Sequence, residues 1–174
     1  AQSELADAAA KAAGAKVFPT AAELIAKADV DAVDLCLPTY LHAENAIRAA
    51  KRGLDCFCEK PMALNSAEGR RMLKAVRAAK IKFTVGHVIR FWPEYLLLKD
   101  VMASRKLGAL RSLVLRRFAC QPSGWKKWFQ NPRLSNGAAL DLHIHDADLV
   151  LYLFGKPRSI DSVGVHRKGS WDQI

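Results

Sequence analysis

The sequence predicts an α/β fold, with a doubly wound parallel sheet in its first half and the start of an α+β domain in its second. Two observations predict the first half. Apolar runs of strand length, Ala32–Leu37, Leu54–Cys58 and Lys82–Gly86, alternate with helical stretches. Runs of that kind suit strands covered on both faces and joined by right-handed crossover helices. A third observation sets the division: beyond Arg90 the alternation stops, and longer helices and an aromatic, basic stretch take over.

Each element has a local reason. Ala1–Ala13 is alanine-rich, carries Glu4, Asp7 and Lys11, and has no apolar core of a signal peptide, so it reads as a helix already under way, stopped by Gly14. Lys16–Phe18 reads as a very short strand. Thr20 with Glu23 is a capping box opening a helix to about Ala28. Pro38–Thr39 breaks the run at Ala32–Leu37, and Leu41–Arg52 is an amphipathic helix closed by Gly53. Asn65 and Glu68 cap a helix to about Ala79. In the second half, Pro93–Ser104 is helical with proline in the first turn, Leu110–Phe118 is strand-like, and Trp125–Asn136 is irregular. Ala138–Phe154 reads as one long helix, stopped by Gly155 and Pro157.

Composition narrows the function classes. With 174 residues, 51% of them hydrophobic, the chain can bury a real core. No apolar run reaches the length of a membrane-spanning helix, and no membrane partner is expected. The net charge of +10 raises the prior for polyanions, but Lys51–Arg52, Arg70–Arg71, Arg116–Arg117 and Lys126–Lys127 are scattered and not interleaved with aromatics, so no nucleic-acid partner is expected. The cysteines are Cys36, Cys56, Cys58 and Cys120. Cys56 and Cys58 point the same way on a strand, with no second ligand pair at metal spacing, and read as reduced, small hydrophobic residues of a cytoplasmic protein.

Three segments carry candidate chemistry. On the helix from Ala138, the residues Asp141, His145, Asp148 and Tyr152 form a polar stripe beside an apolar one of Leu140, Ile144, Ala147, Leu151 and Phe154, with Leu142, Leu149 and Leu153 beside it. Asp141 and His145 are one turn apart and can approach each other, as a satisfied core pair or as a working one. Asp141, His145 and Asp148 could share a metal ion, whereas His143 and His145, two apart, cannot; no metal site is expected. The second segment is Glu59-Lys60-Pro61, directly after an apolar strand, which aims a lysine at the sheet's carboxyl edge. The third is Pro38-Thr39-Tyr40-Leu41-His42, a strand-to-helix loop whose helix amides could face a phosphate or ribose.

Taken in order, Asp31-Ala32-Val33, Pro38-Thr39 followed by His42, Glu59-Lys60-Pro61, Gly86 through Arg90-Phe91 with Pro93, and Gly137-xxx-Asp141-xxx-His145-xx-Asp148 resemble the glucose–fructose oxidoreductase and inositol dehydrogenase (Gfo/Idh/MocA) family of NAD(P)-dependent oxidoreductases. The resemblance covers nearly the whole chain. It implies that residues 1–91 are the C-terminal part of a dinucleotide-binding Rossmann domain, and 92–174 the N-terminal part of an α+β substrate and oligomerisation domain. It implies NAD or NADP as cofactor, a sugar, inositol or related polyol as substrate, and a homo-oligomer. Lys60 would hydrogen-bond the reacting oxygen, His145 would be the acid/base, and Asp141 would orient that histidine or bind a substrate hydroxyl. Pro38, Thr39, His42, Glu59 and Lys60 would line the cofactor, and Arg90, Trp125, Asp141 and His145 the substrate. A cis bond before Pro61 is implied as well.

The chemistry is consistent: oxidising a secondary alcohol needs a hydride acceptor, which the cofactor supplies, and a proton acceptor with a pKa near neutrality, which histidine supplies. The departures from the family pattern are specific. No G-x-G-x-x-G turn is present, Asn136 replaces a glycine, and His143 replaces another. Asn tolerates unusual backbone angles, so the turn can survive, and His143 would alter substrate choice or lie on another helix face. The intact protein is expected to extend beyond both termini. The alternative to an enzyme is a non-catalytic ligand-binding or regulatory relative on the same fold.

Overall fold

Local capping decides where two helices of the first half, those opened by Thr20 and Asn65, begin. In a computed structural model that describes residues 3–119 and 125–164, the side chains of Ser3, Trp125 and Lys126 excepted, helix α1 runs Ser3–Ala13 and α2 runs Ala21–Lys27. The Thr20 hydroxyl accepts from the Glu23 N–H at 3.1 Å and opens α2. Asn65 opens α4 (Ser66–Ala79) in the same way, accepting from the Glu68 N–H at 2.9 Å. The Glu68 carboxylate accepts from the Leu64 N–H and completes the start. Helix α3 spans His42–Arg52 and ends at Gly53, whose φ of 78° is the left-handed turn that glycine allows. Arg52 then reaches back to the carbonyls of Ile25 and Ala28, tying the ends of α2 and α3 together.

The described residues divide into two compact units, residues 1–85 and 86–174. The first holds strands β1 (Ala32–Leu35) and β2 (Asp55–Glu59), joined through α3. They pair in parallel, with Ala32 opposite Asp55 and Leu35 opposite Cys58. Strand β3 (Phe83–Gly86) follows α4 and completes a sheet of order β1-β2-β3. This is the Rossmann-type α/β arrangement the apolar runs predict. The core lies on one face of the sheet, where Val33, Leu35, Cys56 and Cys58 meet Ile25 of α2, Ala43, Ala46 and Ala49 of α3, and Met72 of α4.

Two expectations change here. The strands were expected to be covered on both faces, but burial alternates along them. Asp34, Phe57 and Thr84 are exposed, because α2, α3 and α4 all pack on the other side. An open depression of about 460 Å³ runs along that uncovered face past Asp34, Asp55, Phe57 and Thr84. Lys16–Phe18 is not a strand; among the described residues it has no ladder partner.

The second unit begins with a 3-10 turn at Val88–Phe91 and helix α5 (Pro93–Ser104), with Pro93 at its first position. Residues 110–118 alternate, with Leu113, Leu115 and Arg117 half-buried and their neighbours exposed, but no strand forms there because no ladder partner lies among the described residues. The stretch expected to be irregular is instead ordered as a 3-10 helix, Trp125–Gln130, and a short helix α6, Pro132–Ser135. The expected long helix is two: α7 (Gly137–Asp141) and α8 (Ile144–Phe154), parted at Leu142–His143. Nor is its apolar stripe the buried face. Leu151 and Phe154 are exposed, and α8 buries Leu149 and, unexpectedly for a charge, Asp146.

Candidate active site

In a parallel sheet, ligands gather at the carboxyl ends of the strands. Beyond Leu35 the chain turns through Pro38 into a 3-10 turn at Thr39–Leu41 and enters α3. Thr39 is buried and Pro38 half-buried. Beyond β2 come Glu59 and Lys60, both half-buried, and the Glu59 carboxylate accepts from the Lys60 N–H at 3.1 Å. The Lys60–Pro61 peptide is cis, as the family resemblance implies.

His42 joins the two loops. Its Nδ1 lies 2.8 Å from the Pro61 carbonyl oxygen and its Nε2 lies 2.6 Å from that of Leu37, and the residue is wholly buried. A neutral imidazole has one N–H to donate, so one tautomer serves one carbonyl and only the imidazolium serves both. His42 was expected to line the cofactor. The ring is wholly buried, with both of its nitrogens engaged by main-chain carbonyls.

The half-buried groups at this edge, a carboxylate at Glu59 and an ammonium at Lys60, suit the ribose hydroxyls and carboxamide of a nicotinamide cofactor, so they fit that end of it. The pyrophosphate end calls for a glycine-rich turn, and no G-x-G-x-x-G run occurs in the 174 residues.

In the second unit, the break between α7 and α8 falls between the two residues singled out from the sequence. Asp141 ends α7 and is buried, while His145 lies in the first turn of α8, half-buried, with its Nδ1 shielded from solvent. The turn before α7 is made as the sequence suggested: Asn136 takes a φ of 60° in place of a glycine. Buried Ser135 accepts from the Gly137 N–H at 3.1 Å and holds that turn. His143 points to solvent. Trp125, expected to touch substrate, has its side chain outside the described residues.

Arg90 is engaged by Asp148 of α8, Nε to Oδ2 at 2.8 Å and Nη2 to Oδ1 at 2.6 Å, a two-pronged ion pair. That pair holds the Arg90 guanidinium's pKa above its usual value. The same guanidinium lies 4.6 Å from the centre of the Tyr152 ring, to whose hydroxyl Lys99 donates at 2.7 Å. His87 Nδ1 stands 3.6 Å from the Asp148 carboxylate.

Sequence reasoning missed a second two-pronged pair, Arg117 on buried Asp146, at 2.9 and 2.8 Å. Only the half-buried alternation of residues 113–117 hinted at it, because spacing along a chain says nothing of a partner 29 residues away. The thiols of β2 are free and buried. Burial pushes Cys56 up to about 11 and Cys58 up to about 12. Among the described residues no group of three or more His, Cys, Asp or Glu side chains could hold a metal ion, and no helix is long and apolar enough to cross a membrane.

Comparison with known proteins places this geometry. Residues 1–87 match the GFO_IDH_MocA model, described as an oxidoreductase family with an NAD-binding Rossmann fold, and residues 95–172 match the GFO/IDH/MocA C-terminal domain. Inositol 2-dehydrogenase of Rhizobium meliloti (strain 1021) is 33% identical over 159 residues, covering 82% of this chain and 46% of that protein. The 2,7-anhydro-N-acetylneuraminate hydratase of Escherichia coli (strain K12) is 30% identical over 142 residues, covering 81% of this chain and 38% of that one. The crystal structure of the WlbA dehydrogenase from Bordetella pertussis in complex with NADH and UDP-GlcNAcA superposes with a TM-score of 0.75 at 27% identity, covering 88% of this chain and 45% of that one. The chain thus spans less than half the length of these relatives. Two domain models that together account for nearly every residue, over a parallel sheet with Lys60 at its carboxyl edge, establish that the chain belongs to the Gfo/Idh/MocA family of oxidoreductases.

Proposed function

We propose that the intact protein is a nicotinamide-dependent oxidoreductase acting on a secondary alcohol of a sugar, inositol or related polyol, as a cytoplasmic homo-oligomer. The observation that carries this reading is the lysine at the carboxyl edge of the parallel sheet, half-buried after β2, in a chain that also carries a shielded histidine beside a helix break. When bound, NAD or NADP supplies the hydride acceptor. Glu59 and Lys60 hold its nicotinamide and ribose end, the Pro38–Thr39 turn lines it, and His42 braces the loops that do so. The Lys60 ammonium donates to the reacting oxygen and stabilises the developing alkoxide. His145 takes the hydroxyl proton on its imidazole ring. Asp141 orients that ring or binds a neighbouring hydroxyl, and Arg90 and Trp125 contribute to the substrate side.

The test is formation of reduced nicotinamide by the intact protein with a panel of inositols and sugars. Turnover with at least one of them is expected. The Lys60→Ala, His145→Ala double variant should lose at least about 10³-fold in kcat, since each group supplies roughly 10² or more. Undiminished turnover by that variant would sink the assignment. The relative named as a hydratase favours one second reading, chemistry with no net oxidation. Substrate consumption without accumulation of reduced cofactor would identify it.

A further inference from the structure

The two helices that carry Asp141 and His145 are not one rigid rod. The N–H of His143 donates to the Ala138 carbonyl five residues back, at 3.0 Å, and shares it with the Leu142 N–H, also at 3.0 Å. This is the wide turn of a π-type bulge. The next bonds are the tight three-residue kind: His145 N–H to the Leu142 carbonyl at a long 3.4 Å, and Asp146 N–H to that of His143 at 3.0 Å. Regular four-residue spacing begins at Ala147, whose N–H donates to the His143 carbonyl at 3.0 Å. The backbone ladder of α7 therefore does not dictate how the first turn of α8 is rotated.

Two arginines from other segments do. Arg117, in the segment 110–118, holds the Asp146 carboxylate through Nε and Nη2 at 2.9 and 2.8 Å. Arg90 holds the Asp148 carboxylate through the same two nitrogens. Residues two apart on an α-helix point roughly 200° away from each other, so the two forks grip α8 from nearly opposite sides. His145 lies one residue before the first grip and three before the second. A fork-shaped pair fixes direction as well as distance, which a single ammonium contact does not. A buried pair of this kind adds little net stability, because desolvating both charges offsets their attraction, so stability alone is a weak reason for it.

We propose that the Arg117–Asp146 pair is a positioning device for His145, setting the rotation of the first turn of α8 and so the direction in which the imidazole faces. The inference rests on the catalytic reading of His145 above. Its test is the double variant Arg117→Met, Asp146→Leu in the intact protein, which removes both charges at similar volume and leaves none stranded. With whichever inositol or sugar the wild type turns over, kcat should fall about 10- to 100-fold while KM stays within about threefold, and the melting temperature should hold within a few degrees. Arg117→Lys, keeping the charge but not the fork, should recover less than half of the lost kcat. The ring C–H resonance of His145 should shift in the double variant, while those of His42 and His143 stay in place. A merely structural pair would leave kcat and that resonance as they are once the fold is intact, and this result would overturn the proposal. If no polyol is turned over at all, the catalytic reading fails, and the His145 resonance still decides whether the pair orients the ring.

Discussion

His42 lies with its Nδ1 2.8 Å from the carbonyl oxygen of Pro61, although the two are 19 residues apart and follow different strands. With Nε2 on the Leu37 carbonyl, one wholly buried ring cross-braces the carboxyl edge of the sheet. Removing it strands at least one main-chain carbonyl and leaves a cavity. His42→Ala should therefore cost about 2–4 kcal/mol in urea unfolding of the intact protein. A loss below about 0.5 kcal/mol would show that the carbonyls find water or other donors and that the brace is dispensable.

Arg90 should matter more than a surface charge. Its partner Asp148 has a side chain only 12% exposed, while the Arg90 side chain is 36% exposed and partly screened by solvent. Arg90→Ala should lower stability by about 1–3 kcal/mol, between the values for surface and buried pairs. Arg90→Lys should restore less than half of that, since an ammonium cannot make both parallel bonds. Equal recovery by lysine, measured by denaturant unfolding, would reduce the fork to a simple charge contact.

The cysteines of β2 predict an alkaline limit. An unfolded thiol ionises near 8.5, whereas burial raises Cys56 to about 11 and Cys58 to about 12. The folded state thus holds its thiol protons more tightly than the unfolded chain. The stability linked to them is fully present below about pH 8.5 and is lost as pH rises through the folded values. Wild type should lose stability between about pH 9 and 12 more steeply than Cys56→Ala, Cys58→Ala. Parallel curves for the two proteins would mean that the thiols do not drive the loss. At pH 8 a thiol reagent should modify exposed Cys36 well before either residue of β2.

Gly69 sits inside α4, where a Cβ would come within 2.7 Å of Met62 Cε. That atom is the free end of a flexible side chain, and glycine costs a helix interior about 1 kcal/mol relative to alanine. Gly69→Ala should change thermal stability by no more than about 1 kcal/mol in either direction, as gain and clash offset each other. Gly69→Val, which cannot be absorbed by moving one methyl, should destabilise clearly. A severe loss for alanine would show that Met62 has nowhere to go.

Where local chemistry decides, the elements follow the sequence closely. Thr20, Asn65, Pro93, Gly53 and Gly155 mark helix ends because each cap is satisfied by a hydrogen bond or backbone angle within a few residues. Ala32–Leu35, Asp55–Glu59 and Phe83–Gly86 are strands, as their apolar runs predict, and Lys60 follows β2 as expected. Asn136 adopts its left-handed turn for the same local reason.

Other features needed partners far along the chain. Which sheet face is buried depends on where α2, α3 and α4 land, so the runs at Val33–Leu35 and Cys56–Cys58 look equally apolar whether one face is covered or two. The segment at 110–118 has the alternation of a strand, but a strand exists only with a neighbour to receive its hydrogen bonds. The periodicity from Ala138 to Phe154 reads as one helix because apolar spacing survives a bulge, whereas the break at Leu142–His143 is a matter of which carbonyl each N–H finds.

The α/β class, the order of the elements and the helix caps were legible in the chain alone, because they follow from nearest-neighbour sterics and periodic burial, whereas the roles of Lys60, Asp141 and His145 were implied by the family resemblance. The folded chain alone shows that His42 braces Leu37 to Pro61, that Arg90 and Arg117 close on Asp148 and Asp146, and that Asp141 and His145 stand on separate helices. Those relationships are set by directional hydrogen bonds between distant residues. The geometry of such bonds is defined only once the chain has folded.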